Sequence, residues 1–316
     1  MQSTSKRDAA QVSKAKRLRE QRAKQDQEHA SQESEAASLD GPVAKLDRAK
    51  THFHALNKSI GAFKRSKTHD FVVAKFDPNT RERVVHLKIL REPKNPEWGL
   101  LLGDMVHNLR SALDHLVWQL VLLNGEAPRR QNQFPIIGTK NEYWEVPANR
   151  SESVRDRMLS RVAEEHRAFI DVVQPFNAGN DPTGTALSVL SWISNTDKHR
   201  VVHAGFVLTE EPSEELFDVT TLHPGGASVD VTMNWGELED GAEILRFRPN
   251  PPGAHVNMNA AIPTYIAFRE GGRQIHAEGI KVIFKWVDTY VRGFEPIFRG
   301  ELAMGKGSPV RRFRPS

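Results

Sequence analysis

No cysteine occurs in the 316-residue chain. That absence excludes disulfides, thiolate zinc sites and a cysteine nucleophile, and it leaves His, Asp and Glu as the ligands for any metal. No apolar run of about 18 residues is present, and the N-terminus lacks a hydrophobic signal core. Neither a membrane span nor secretion is therefore expected, and the inferred setting is cytoplasmic. The patterns GxxxxGK(S/T), GxGxxG and GxSxG are missing as well, so no P-loop, dinucleotide-binding turn or nucleophile elbow is expected, and no nucleotide cofactor. A large surplus of one charge is also lacking: 44 basic residues stand against 40 acidic ones, a formal net charge of +4. Such a balance permits an anionic partner without demanding one.

Residues 1–40 carry only Val12, Leu18 and Leu39 as aliphatics larger than alanine. They cannot bury a core of their own, which predicts a disordered or transiently helical tail. At the other end, Arg311, Arg312 and Arg314 lie in a stretch with no acid after Glu301, so 301–316 read as a basic flexible tail. Between them, 41–300 are long enough, at 38% hydrophobic content, to form a single α+β domain.

Within that domain, Leu46, Phe53, Leu56, Ile60 and Phe63 predict an amphipathic helix beginning near Val43. The segment from His69 to Leu90 predicts a β-hairpin, with β-branched runs flanking Asp77-Pro78-Asn79-Thr80. Leu102, Val106, Leu109, Leu113, Leu116, Leu120 and Leu123 form one apolar stripe, opened by Pro96 and closed at Asn124-Gly125, and predict a long helix. Phe134 to Ile137 are expected as an extended strap. A helix is expected over 152–173 and another from Thr185 to Arg200, carrying Leu187, Leu190 and Ile193. Short strands are expected over 201–268, and a closing helix carries Ile280, Ile283, Phe284, Val287 and Val291. The predicted fold is α+β: a helical bundle core, an N-terminal β-hairpin, and a C-terminal antiparallel sheet closed by the final helix. Trp118, Trp192 and Trp286 are expected in the core.

Ionisable groups concentrate at two places. On the long helix, at about 100° per residue, Asp104, His107, Ser111, Asp114, His115 and Trp118 share the face opposite the leucines. No Lys or Glu stands between Asp104 and Leu123, although those residues would be ordinary on a solvated face. The second place is Asn195, Asp197, Lys198, His199 and Arg200, at a helix end where cations meet the C-terminal dipole.

Arg110-Ser-Ala-Leu-Asp-His115 is an Arg-x4-His arrangement within a helix, and it resembles the motif of the HEPN superfamily of helical ribonucleases and toxins. Ser111 stands where that family prefers Asn, Asp or His. The pair of segments NLRSALDH and TDKHR also looks like that of a group of uncharacterised bacterial proteins. The HEPN resemblance implies a HEPN-like helical bundle and a metal-independent endoribonuclease in a toxin or defence setting, with RNA as partner. Arg110 and His115 would be catalytic, the imidazole moving a proton and the guanidinium stabilising phosphoryl charge. Residues five apart on a helix point roughly 140° apart, so the two do not share a face. The resemblance implies a composite site across a homodimer.

Two other readings stay open. In one, the Asp, His and Arg cluster is a structural polar network in a non-catalytic binding or scaffold protein, with Arg110 paired to Asp114 at i, i+4, His115 bonded to a neighbouring loop and Asp197 set against Arg110 as a strut. In the other, Asn195, His199 and His203, recurring at i, i+4, join the ligand-rich face of Asp104, His107, Ser111, Asp114 and His115 in a metal-dependent hydrolase. The absence of HExxH and ExxH pairs weighs against that last reading.

Overall fold

A computed structural model describes residues 36–73, 76, 79–198, 202–208, 217–222, 228–234, 236–251, 255–260 and 265–301. Of the tail expected over 1–40, residues 1–35 lie outside these residues, as do the turn at Asp77-Pro78, the basic tail after Glu301, and His199 and Arg200; Leu39 is buried and Asp40 already begins the first helix, so the folded part starts before the expected 41.

The leucine stripe forms the axis of the fold. Helix α1 (Asp40–Lys64) leads into strands β1 (His69–Val73) and β2 (Arg83–Ile89), followed by helix α2 (Pro96–Leu123). Pro96 occupies the first turn of α2, where its missing N–H costs nothing, and the Asn95 side chain caps the end by accepting from Glu97 N at 3.0 Å. Gly125, at φ +72°, supplies the left-handed residue just beyond the C-terminus. Leu102, Val106, Leu109, Leu113, Leu116 and Leu120 are fully buried. They are covered mainly by α1, whose Leu46, Ala49, Phe53, Leu56 and Ile60 face them. Trp98 locks the α1–α2 pair: its ring meets Phe63 edge-on at 5.3 Å and its Nε1 donates to Ser59 Oγ at 2.8 Å.

The region expected as one helix over 152–173 is instead two, α4 (Val154–Met158) and α5 (Glu164–Val172). Arg161 between them stands at φ +66°, outside helical space, while Leu159 and Val162 are buried in the break. A short helix α3 (Lys140–Trp144), which the apolar periodicity gave no sign of, precedes them. Arg155 joins these pieces. Its guanidinium pairs with both Asp171 oxygens, at 2.9 and 2.8 Å, and with Glu164, while the Tyr143 hydroxyl donates to Asp171 at 2.6 Å. Burial, reinforced by that bond to Asp171, pushes the Tyr143 phenol far above its ordinary value.

Helix α6 (Ala186–Asp197) begins where Thr185 Oγ1 accepts from Ser188 N. Leu187, Leu190 and Ile193 are buried, and α6 packs on α2. Trp192 is only partly buried against the core and Trp118 is exposed, so the expectation of three core tryptophans fails at Trp118.

The sheets differ from expectation more than the helices do. The hairpin register runs from His69 opposite Ile89 to Val73 opposite Val85. It is not a separate appendage. Strand β2 pairs with β7 (Glu243–Asn250), which pairs in turn with β5 (Ser228–Met233), giving one antiparallel sheet in the order β1-β2-β7-β5. A second antiparallel sheet, β10-β9-β3-β6, combines β3 (His203–Leu208) with β6 (Gly236–Leu238), β9 (Tyr265–Glu270) and β10 (Arg273–His276). Strand β4 (Phe217–Leu222) pairs with β8 (His255–Ala260). The closing helix begins after Ile275 and His276, which are the end of β10. That helix is α7 (Ala277–Arg292), with α8 (Glu295–Phe298) after it. Through Ile280, Ile283, Val287 and Val291, α7 closes the core against α1, α2 and α6.

Gly103 sets the fit of α6 on α2. A methyl group at this position would overlap the Asp197 carboxylate, so the small residue is what admits the end of α6. We expect Gly103→Ala alone to lower the melting temperature. In an Asp197→Ala background the same change should stabilise by about 1 kcal/mol, the ordinary advantage of Ala over Gly within a helix. Denaturant unfolding of the four proteins checks this, and a gain of stability in both backgrounds would contradict the packing.

Candidate functional site

The residues singled out on α2 divide between two neighbours. Arg110 turns to the strap. Its Nη2 donates to Phe134 O at 2.5 Å, its Nε to Asp114 Oδ2 at 3.3 Å, and the pair stands 3.0 Å apart at its closest. Asp114 Oδ1 in turn accepts from Phe134 N at 2.9 Å. One i, i+4 ion pair thus satisfies both backbone polar groups of a fully buried residue that belongs to no strand. The strap is held from its other side by Gln174, 1% exposed, whose Nε2 donates to Pro135 O at 2.9 Å and whose Oε1 accepts from Ile137 N at 3.2 Å.

His115 looks elsewhere. It is exposed and lies against the start of α1, where a methyl group on Gly41 would stand 3.4 Å from its Nδ1. Partial burial lowers its pKa and the Lys45 charge lowers it further, against the opposing pull of Asp114. Arg110 and His115 therefore serve different surfaces within one chain. Ser111 is half-buried beside the Arg110 and Asp114 pair in sequence.

Asp104, His107 and Asp197 assemble at the junction of α1, α2 and α6. His52 of α1 approaches Asp104 at 3.9 Å. Loss of solvent against Gly103 raises the Asp197 carboxyl, with Asp104 adding to the rise and His107 opposing it. The expectation of Asp197 as a strut on Arg110 is thus corrected: Arg110 is committed to the strap, and Asp197 sits on Gly103. Lys198 is exposed at the C-terminal cap of α6. Among the described residues no group of three or more His, Asp or Glu is arranged to hold a metal. His203, which the metal reading set at i, i+4 from His199, lies in β3 opposite Arg269, in agreement with the short strands expected from 201 onward.

A cleft missed by the sequence reading opens on the far side of α6. It measures about 770 Å³. Ser188, Ser191, Trp192, Asn195 and Thr196 supply one wall, at the helical spacings opposite the Leu187, Leu190 and Ile193 stripe. The strap contributes Ile136 and Gly138, and the turn between β9 and β10 contributes Glu270 and Arg273. Of these only Asn195 was singled out beforehand. The hydroxyl-rich polar face of α6 was the available signal.

Compared with known proteins, the chain matches no family model, no curated protein and no solved structure.

Removing either partner of the clamp should unfold the strap. Arg110→Ala and Asp114→Ala are each expected to cost about 2 kcal/mol, typical of charged hydrogen bonds. The double variant should cost little more than either single, because the two act as a unit; additive losses in chemical denaturation would contradict a shared clamp. Acidification gives a second outcome. Burial holds His69, His115 and His166 below the usual imidazole value, so below about pH 6.5 the unfolded chain takes up more protons than the folded one. Stability is then full above about pH 6.5 and falls as pH drops from there through the lowered folded values. Thermal melts from about pH 7.5 to 5 should show that decline, and a smaller one in His166→Asn.

Proposed function

We propose that this chain is a non-catalytic binding protein, in which the ionisable cluster on α2 is a device for packing. The supporting observation is the engagement of Arg110: two of its nitrogens are spent on Phe134 and Asp114. A guanidinium that holds a buried backbone in place contributes to folding, and it is not available to move freely onto a phosphoryl group. On this reading α2 positions the strap, α6 and α7, and recognition falls to the surfaces that these elements carry.

The second reading is the metal-independent endoribonuclease implied by the HEPN resemblance, with RNA as substrate and a homodimer bringing the two residues together. One observation favours it. His115 is exposed, and its lowered pKa keeps the imidazole neutral near pH 7, the form that accepts a proton. Its guanidinium partner would then come from a second copy of the chain.

Incubating purified full-length protein with RNA in EDTA separates the two. The binding reading predicts that wild type and His115→Ala leave RNA equally intact, with equal melting temperatures. Cleavage by wild type that is lost in a folded His115→Ala variant would overturn it in favour of the nuclease.

A further inference from the structure

The cleft beside α6 has three walls, and each is held by hydrogen bonds. Asp181 Oδ1 accepts from Thr183 N at 3.1 Å, Thr183 Oγ1 at 2.8 Å and Gly184 N at 2.9 Å, which stiffens the loop that leads into α6. Thr185 and Ser188 both donate to Pro182 O, at 3.1 and 2.6 Å, binding that loop to the first turn of the helix. Across from it, Arg273 lies over the Trp192 ring, 4.9 Å from its centroid, and donates from Nη2 to Thr183 O at 3.0 Å. The strap is held by Arg110, Asp114 and Gln174 as described. A cavity with walls already ordered binds a ligand at a lower entropic cost than one that must form on contact.

The chemistry of the walls narrows the ligand. The two charged residues in the lining, Glu270 and Arg273, carry opposite signs, and the nearby Asp181 further offsets the arginine. There is no positive surplus of the kind that captures phosphate or nucleic acid. Ile136 and Trp192 are the large apolar residues of the lining, too few to accept an acyl chain. Hydroxyls and an amide predominate: Thr183, Ser188, Ser191, Asn195 and Thr196. Thr183 and Ser188 spend their protons on Asp181 and Pro182 O and offer lone pairs, while Ser191, Asn195 and Thr196 can donate as well as accept, as each hydroxyl of a sugar does. Arg273, with one nitrogen on Thr183 O and its guanidinium over Trp192, keeps further N–H groups that can donate, and Glu270 supplies a carboxylate. The volume of about 770 Å³ lies within the usual range for small-molecule sites.

We infer that this cleft binds a neutral polyhydroxylated ligand of mono- to disaccharide size. The inference deepens the binding reading above and rests on it.

Saturation-transfer NMR on the full chain, with glucose, maltose, cellobiose and trehalose as probes and AMP and inorganic phosphate as comparators, tests it. Saturation of at least one saccharide is expected in wild type. Affinity should fall about tenfold or more in Asn195→Ala, an exposed position that the fold tolerates, and be abolished in Ser191→Trp, which fills the cleft. No transfer to any saccharide would overturn the inference, and so would transfer unchanged in both variants, or displacement of the sugar by phosphate or AMP. The RNA experiment reads the other site independently, so failure of the cleft inference and failure of the binding reading remain distinguishable.

Discussion

The arrangement depends on how a buried, non-regular segment obtains its hydrogen bonds. Phe134 is fully enclosed and makes a T-shaped contact with Tyr290, 5.7 Å between centroids, so water cannot serve its backbone. A buried peptide group without a partner costs on the order of 1–3 kcal/mol. Arg110 and Asp114 meet that demand with side chains, as a neighbouring strand would with its backbone, and Gln174 does the same for Pro135 and Ile137. Once the strap is fixed, its outer residues form one edge of the cleft, and α6 and the β9–β10 turn form the others. The same helix that organises the core therefore also sets one edge of the cleft beside α6.

That arrangement gives the Arg-x4-His motif a physical reading beside its chemical one. An arginine and an aspartate at i, i+4 on a helix form a pair whose mutual attraction pre-orders both side chains before they meet the strap. With side-chain exposures of 21% and 29%, the pair keeps part of its solvation while excluding water from the peptide it serves. His115, on another face, is electrostatically tuned by Lys45 and Asp114 and takes no part in the clamp.

Much of the helical architecture was legible in the sequence because it is local. The 3-and-4 spacing of Leu102 through Leu123 and the Asn95-Pro96 start give α2 almost to the residue, and β-branched runs give β1 and β2. What the sequence hid was nonlocal or conformational. Nothing in the periodicity of 152–173 shows that Arg161 adopts a positive φ and breaks the helix. Nothing near His69–Ile89 shows that β2 pairs with β7, more than a hundred residues on. On the site, the i, i+4 pairing of Arg110 with Asp114 was readable, but its target, Phe134, was not, since the contact joins segments that only the fold brings together. Asp197 was read as a partner for Arg110, where Gly103 provides the gap that receives it. The cleft was missed because hydroxyl residues on a helix face resemble ordinary solvation until a strap and a turn close over them.

Native-state hydrogen exchange at the Phe134 amide tests the central claim most directly. In wild type this amide should exchange as slowly as the amides of α2, and in Asp114→Ala it should exchange much faster while α2 keeps its protection. Fast exchange of Phe134 in wild type, or protection unchanged by Asp114→Ala, would contradict the account.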